Sequence, residues 1–174
     1  MKALIIGGSG SGKSEYAESL LDGCQNKIYI ATMQPFGQEA EKRIERHRRQ
    51  RAEKGFKTVE RYTDLGCITE QELPYGSSVI MECLGNLAAN EMFGCKGECG
   101  AYERIVEGIS LLEQRCDSLV VVTNDVFCDA ENYSFETEKY IKLLAELNRC
   151  LAERFDTVAE VVCGIPLLLK GAEK

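Results

Sequence analysis

No tryptophan, a single histidine, only three prolines and no apolar run longer than a β-strand characterise this chain of 174 residues. A membrane-spanning helix needs about 20 consecutive apolar residues, so no membrane span is expected, and no signal peptide either. Basic character is lacking overall. The net charge of −7 and pI near 4.9 argue against a general nucleic-acid or anionic-membrane binder. Cysteine is abundant, with nine residues, but it is scattered and lacks paired C-x-x-C spacing. That pattern, in a chain of this size, implies reduced thiols in a cytoplasmic protein rather than a disulfide framework. Cys95-x-x-x-Cys99 in FGCKGECG (93–100) reads as an exposed polar loop more readily than as half of a metal site. There is no repeat, low-complexity segment or linker. The chain is therefore read as one domain over 1–174, large enough to bury roughly 70% of its unfolded surface.

What is present begins at the N-terminus. The apolar run Ala3-Leu4-Ile5-Ile6 leads directly into GGSGSGKSEYA, residues 7–17. Gly7, Gly12, Lys13 and Ser14 satisfy G-x-x-x-x-G-K-[ST], and Gly8, Ser9, Gly10 and Ser11 fill the loop. Glycines let successive backbone N–H groups turn inward around a phosphate. Lys13 reaches the β/γ-phosphates, Ser14 offers a hydroxyl to Mg²⁺, and the following helix points its positive end at the anion. The apolar positions Tyr16, Ala17, Leu20 and Leu21 supply that helix. A loop of this kind serves kinases, hydrolases, switches and motors alike.

Further apolar segments rich in β-branched residues follow at 27–32 (KIYIAT), 78–84 (SVIMECL), 118–124 (SLVVVTN) and 157–163 (TVAEVVC), then LLLK, with a short strand at 58–61. Helical patterns lie near 14–22, 37–54, 101–116 and 135–154. Continuous apolar runs predict strands buried on both faces, hence a mostly parallel sheet covered by helices. Ligands in such α/β folds sit at the carboxyl ends of strands, which singles out Met33, Gln34, Pro35, Glu82, Asn124 and Asp125. Glu82 either organises Mg²⁺ opposite the phosphate loop or caps the next helix.

The segment KRIERHRRQR (42–51) concentrates six Lys/Arg around the one histidine, His47. At helical spacing Arg43, His47 and Arg51 share a face, with Ile44 beside them. The run is either a solvated basic helix or a face turned to a polyanion. In the second reading neutral imidazole attacks an activated phosphoryl centre while guanidinium groups stabilise the developing charge.

Taken in order, GGSGSGKSEYAE, YIAT, RIERHRRQR, KTVE, MECL, VVVTND and CGIPLLLKG resemble the bifunctional adenosylcobinamide kinase/adenosylcobinamide-phosphate guanylyltransferase family of cobalamin biosynthesis, from residue 2 to about 171. R-I-x-x-H followed by basic residues and T-x-E is the most specific part. The resemblance implies an α/β, P-loop NTPase-like (RecA-like) three-layer fold with a mostly parallel central sheet, assembled as a homotrimer. It implies ATP and GTP as nucleotide substrates, Mg²⁺, and a corrinoid acceptor. One reaction moves the γ-phosphoryl group of ATP or GTP to cobinamide; the other moves GMP from GTP, through a guanylylated histidine, to cobinamide phosphate. The guanylylated histidine falls on His47 and the phosphate loop on Gly7–Ser14, with Lys13 stabilising transferring phosphates. Nucleotide contacts fall on Met33, Gln34, Pro35, Arg48, Arg51, Glu60 and Glu82, and the Mg²⁺ positions on Ser14 and Glu82.

The chain departs from the family pattern at several places. Phe56 stands where the family has Trp, and Arg51-Ala52 where it has R-P. Glu82-Cys83-Leu84-Gly85-Asn86-Leu87 is a shortened form of its motif, and FCDAENYSFETEKYIKLLAELN replaces a Gly-rich segment and an Arg-containing helix. A small-molecule kinase of another acceptor, or a GTP/ATP-binding regulatory protein without turnover, are the competing readings.

Overall fold

The fold is known from a computed structural model, which describes residues 1–35, 44–45, 48–49, 51–126 and 133–171. Seven strands and four bounded helices are found among the described residues, beside helical positions within 44–53. In chain order they are β1 (Lys2–Gly7), α1 (Lys13–Ser19), β2 (Lys27–Ala31), β3 (Lys57–Glu60), β4 (Ser77–Glu82), α2 (Leu84–Phe93), α3 (Ala101–Arg115), β5 (Cys116–Asn124), α4 (Phe135–Arg154), β6 (Thr157–Val162) and β7 (Ile165–Lys170). They form one seven-stranded sheet in the order β3-β2-β4-β5-β1-β6-β7. All pairings are parallel except β6 with β7.

Strand pleating divides the core. Ile28, Ile30, Val79, Met81, Leu119 and Val121 turn to one face, where they meet Leu87, Ile109, Leu112, Leu144 and Leu151 of α2, α3 and α4. Their alternates Tyr29, Ala31, Ile80, Val120 and Val122 turn to the other, where they meet Ala17, Leu21 and Phe56. Burying each Leu, Ile or Val side chain contributes roughly 1.5–3 kcal/mol. Both faces of the inner strands must therefore be covered, and the result is three layers.

The strand ends are bolted together by polar groups. Thr32 Oγ1 accepts from the Cys83 backbone N at 2.7 Å and donates to Cys83 O at 2.8 Å. Asn90 of α2 donates to Thr32 O and Tyr62 O. Within α2, Glu91 is only 3% exposed. It accepts from Arg104 Nε at 2.8 Å and from the Asp64 backbone N at 2.7 Å. Arg104 also donates to Gly97 O and Cys99 O, which anchors the loop 94–100 on a paired charge.

Several sequence expectations are revised. The segment 78–84 is strand only to Glu82, because Leu84 already starts α2, whose N-cap is Cys83 accepting from Asn86 N. α2 itself was not predicted. Cys116 belongs to β5 rather than to the preceding helix. The last apolar stretch is not buried on both faces: β7 is an antiparallel edge strand with Ile165, Leu167 and Leu169 exposed. Of the helix expected over 37–54, positions 44–45, 48–49 and 51–53 are helical. His47 and Arg43 lie outside the described residues, as does the segment 127–132.

Candidate active site

The sheet register assembles the site before any side chain is considered. Gly7 at the end of β1 pairs with Asn124 of β5. Ala31 at the end of β2 pairs with Glu60 of β3 on one side and Glu82 of β4 on the other. Glu82 shares the α1 face with Ile80, two residues back, so its carboxylate turns toward the helix that follows the phosphate loop. Ser14 of α1 donates its hydroxyl to Glu82 Oε1 at 2.6 Å. The second oxygen, Oε2, accepts from the hydroxyl of Tyr29 on the neighbouring β2. Glu82 therefore does not cap the next helix; that position belongs to Cys83.

Tyr29 is almost wholly buried. Burial, and then the Glu82 carboxylate, push its phenol well above the ordinary value of 10.0, so the hydroxyl stays a donor throughout the neutral range. Its ring is held edge-on by Phe56, with centroids 6.1 Å apart. The Arg51 guanidinium lies over it at 3.9 Å, within cation–π range. Arg51 is itself only 7% exposed, which sets it apart from the exposed Arg48 and Arg49.

The loop 7–14 has no room for a side chain at Gly7 and little at Gly12. A Cβ on Gly7 would lie 2.5 Å from Ser11 Oγ and 2.8 Å from Val161 O, and Gly12 takes φ +88° against Gly164 Cα. The β6–β7 turn backs the loop through a 2.8 Å bond from Gly164 N to Ser11 O. Lys13 curls back and donates to Gly8 O at 2.9 Å while remaining buried. Ser11 Oγ is buried with no hydrogen-bond partner among the described residues.

Two cavities meet at Lys13 and Ser14. One, of about 500 Å³, is walled by Ser9, Gly10, Met33, Arg51, Glu60 and Glu82, with Asn86 and Asn124 behind them. Ile44 also lines it. The other, of about 680 Å³, runs over Ser11 and Gly12 to Gly164, Glu53 and Lys54. Arg48 does not line either; it pairs with Glu60, whose other oxygen accepts from Tyr62 at 3.0 Å. Gln34, Pro35, Gly7 and Gly8 do not line either cavity.

The donor set at Ser14 and Glu82 suits Mg²⁺. Both are hard oxygen donors at a cavity wall beside Lys13. Mg²⁺ is commonly held by one or two carboxylates plus substrate phosphates and water. Among the described residues no group of three or more His, Cys, Asp or Glu forms a protein-only cage.

Sequence reasoning missed Tyr29, Gly164 and Glu18, the last of which lines both cavities and pairs with Lys54. The signal for Tyr29 was available: a lone phenol in KIYIA, a strand otherwise apolar between its first residue and its end, must find a partner for its hydroxyl when buried. Gly164 could be found only from the pairing of β6 with β7.

Comparison with known proteins identifies the family. Residues 3–169 match the sequence model of the family described as cobinamide kinase / cobinamide phosphate guanyltransferase. The chain is 32% identical over 182 residues to the bifunctional adenosylcobalamin biosynthesis protein CobU of Escherichia coli K12, covering 98% of this chain and 100% of that one. Its counterpart CobP of Pseudomonas aeruginosa is 29% identical over 175 residues, covering 98% of each chain. Among solved structures, a KaiC-like protein of the archaeon Pyrococcus horikoshii OT3 superposes with a TM-score of 0.50 at 13% identity, covering 99% of this chain and 79% of that one. A second Pyrococcus horikoshii OT3 protein reaches 0.54 at 11% identity, with 99% and 87% covered. These structural likenesses speak for the fold alone, an α/β RecA-like sheet. The sequence matches speak for descent, and the chain belongs to the cobinamide kinase / cobinamide phosphate guanyltransferase family.

Proposed function

We propose that this protein phosphorylates adenosylcobinamide with ATP or GTP and then transfers GMP from GTP to adenosylcobinamide phosphate, giving GDP-cobinamide. The observation that carries the reading is the meeting of Ser14 and Glu82 over the phosphate loop in a chain of this family. In the kinase step the acceptor hydroxyl oxygen forms a bond to the γ-phosphorus and gives up its proton to solvent, the bond to the β-γ bridging oxygen breaks, and the nucleoside diphosphate leaves. Lys13 and the backbone N–H groups of Gly8–Ser14 hold and neutralise the phosphates, because phosphoryl transfer is catalysed mainly by positioning and charge stabilisation. Ser14 and Glu82 would hold Mg²⁺, which when bound supplies further neutralisation of the phosphate oxygens.

In the second step an imidazole nitrogen of His47 attacks the α-phosphorus of GTP and pyrophosphate leaves. The phosphate of the acceptor then attacks the guanylyl phosphorus and frees the histidine. Support comes from its neighbours in sequence: Ile44 lines the cavity beside the phosphate loop, Arg51 lines both cavities, and Arg48 pairs with Glu60. Met33 borders the same cavity; Gln34 and Pro35 follow it in the chain and complete the proposed nucleotide contacts.

We read residues 1–174 as one domain working as a homotrimer in the cytoplasm on small-molecule substrates. The exposed apolar row of β7 supports self-association, and the acidic balance supports partners other than nucleic acid. Among the described residues no helix is long and apolar enough to cross a membrane.

Incubation with α-labelled GTP and Mg²⁺ should leave acid-labile, alkali-stable label on the wild type and none on His47→Ala. Equal labelling of the two, or none of either, would overturn the covalent step. Transfer of γ-label from ATP to cobinamide tests the kinase separately.

A further inference from the structure

The Glu82 carboxylate is held from both sides, and only one of its two partners belongs to the phosphate loop. Ser14 takes Oε1 and Tyr29 takes Oε2. A carboxylate at a strand end otherwise rotates about its last torsion, so two donors on opposite oxygens fix its plane. Tyr29 is well placed for this because its ring is buried and packed on both sides. Its ring is gripped between Phe56 and the Arg51 guanidinium, and its strand pairs directly with β4, Tyr29 standing beside Ile80 in the register. The side chains of Tyr29, Ile80 and Glu82 share one face of the sheet, which brings the phenol up to the carboxylate. Tyr29 and Glu82 both line the same cavity.

We propose that Tyr29 is the positioning residue for Glu82: its hydroxyl orients the carboxylate so that the oxygen facing Ser14 is presented to a Mg²⁺–nucleotide. This rests on the reading of Glu82 as a metal partner. Arg51 extends the connection. It lies four residues after His47 in the chain and packs over the Tyr29 ring, so the basic segment and the carboxylate share one rigid intermediary.

Tyr29→Phe removes the hydroxyl while keeping the ring, its edge contact with Phe56 and its stacking with Arg51. The test is binding of a fluorescent GTP analogue titrated with MgCl₂, run beside the same binding in EDTA and a thermal melt of the free protein. Loss of an outer hydrogen-bond partner of a metal ligand lowers metal affinity about 10–100-fold. We expect Tyr29→Phe to raise the half-saturating Mg²⁺ concentration at least about tenfold, while binding in EDTA stays within about twofold. The double variant with Glu82→Gln should be no worse than Glu82→Gln alone. If Tyr29→Phe titrates like wild type while Glu82→Gln loses its Mg²⁺ response, the positioning role is overturned and Glu82 keeps its own. If Glu82→Gln also titrates like wild type, the reading of Glu82 as a metal partner falls, and the proposal with it. Equal weakening in Mg²⁺ and in EDTA would make Tyr29 a merely structural residue.

Discussion

Ser14 and Glu82 are 68 positions apart in the chain, one following β1 and the other ending β4, strands that do not adjoin in the sheet, yet their side chains meet at 2.6 Å. β5 stands between β1 and β4, and α1 carries Ser14 across the face of β5 to reach the carboxylate. The juxtaposition couples the phosphate loop to the strand-end acid.

Replacing Glu82 by Gln keeps the shape and removes the charge. Under the proposed mechanism, kinase turnover should fall by on the order of 10²-fold or more, with Ser14→Ala falling in the same direction. Initial rates with γ-labelled ATP check this; turnover within twofold of wild type in both variants would remove the pair from the mechanism.

Gly7→Ala and Gly8→Ala make a matched pair. The added Cβ at Gly7 meets Ser11 Oγ and the Val161 carbonyl at under 3 Å, whereas at Gly8 it meets nothing within 4 Å. Gly7→Ala should destabilise the protein by about 1–3 kcal/mol and weaken nucleotide binding. Gly8→Ala should leave stability nearly unchanged. Urea unfolding midpoints separate the two, and equal midpoints would contradict the close approach.

The buried Glu91–Arg104 pair yields a stability prediction away from the site. Glu91→Ala strands a mostly buried guanidinium and the Asp64 N–H, a loss of about 3–5 kcal/mol. Replacing both residues by apolar ones of similar volume should recover part of that. Chemical denaturation of the single and double variants decides whether the single loss reflects an uncompensated charge.

Thiol chemistry follows burial. Cys67, Cys95, Cys99 and Cys163 are exposed and should react rapidly with a thiol reagent in the native state, while buried Cys83 should react slowly. Burial, with Asp117 adding to it, pushes the Cys116 thiol from 9.0 up to about 12. Its contribution to stability is complete below about pH 9. It declines between 9 and 12, where the unfolded chain releases the proton that the native state keeps. Cys116→Ala should reduce the alkaline slope of stability against pH by up to one proton, measured as urea midpoints from pH 9.5 to 10.5 in reductant.

How far the residues announced these features varies with their surroundings. Runs such as SLVVVTN are apolar on both faces and longer than a turn allows, so the inner parallel strands were legible. LGNLAANEMF was not read as a helix, because its cap is Cys83, outside the usual Ser, Thr, Asp and Asn. Its apolar face is recognisable only against Leu144 and Ile109, which come from distant helices. IPLLLK reads like an inner strand, but as an edge strand it leaves Ile165, Leu167 and Leu169 exposed among the described residues. Gln34 and Pro35 were singled out by following Ala31 and Thr32, yet of the three residues after YIAT only Met33 reaches a cavity wall.

The order of residues alone determined the phosphate loop, since a strand followed by GGSGSGKS leaves the backbone few alternatives to a turn around an anion. It also determined the family, because R-I-x-x-H and T-x-E are local spacings. Tertiary structure alone decided what Glu82 faces. A carboxylate at a strand end is compatible with capping the next helix or with turning to the phosphate loop. The choice was made by β5 entering between β1 and β4, by the pleat that sends Ile80 and Glu82 to the α1 face, and by the Tyr29 hydroxyl waiting on β2. Those are contacts between segments far apart in the chain, and no local spacing encodes them.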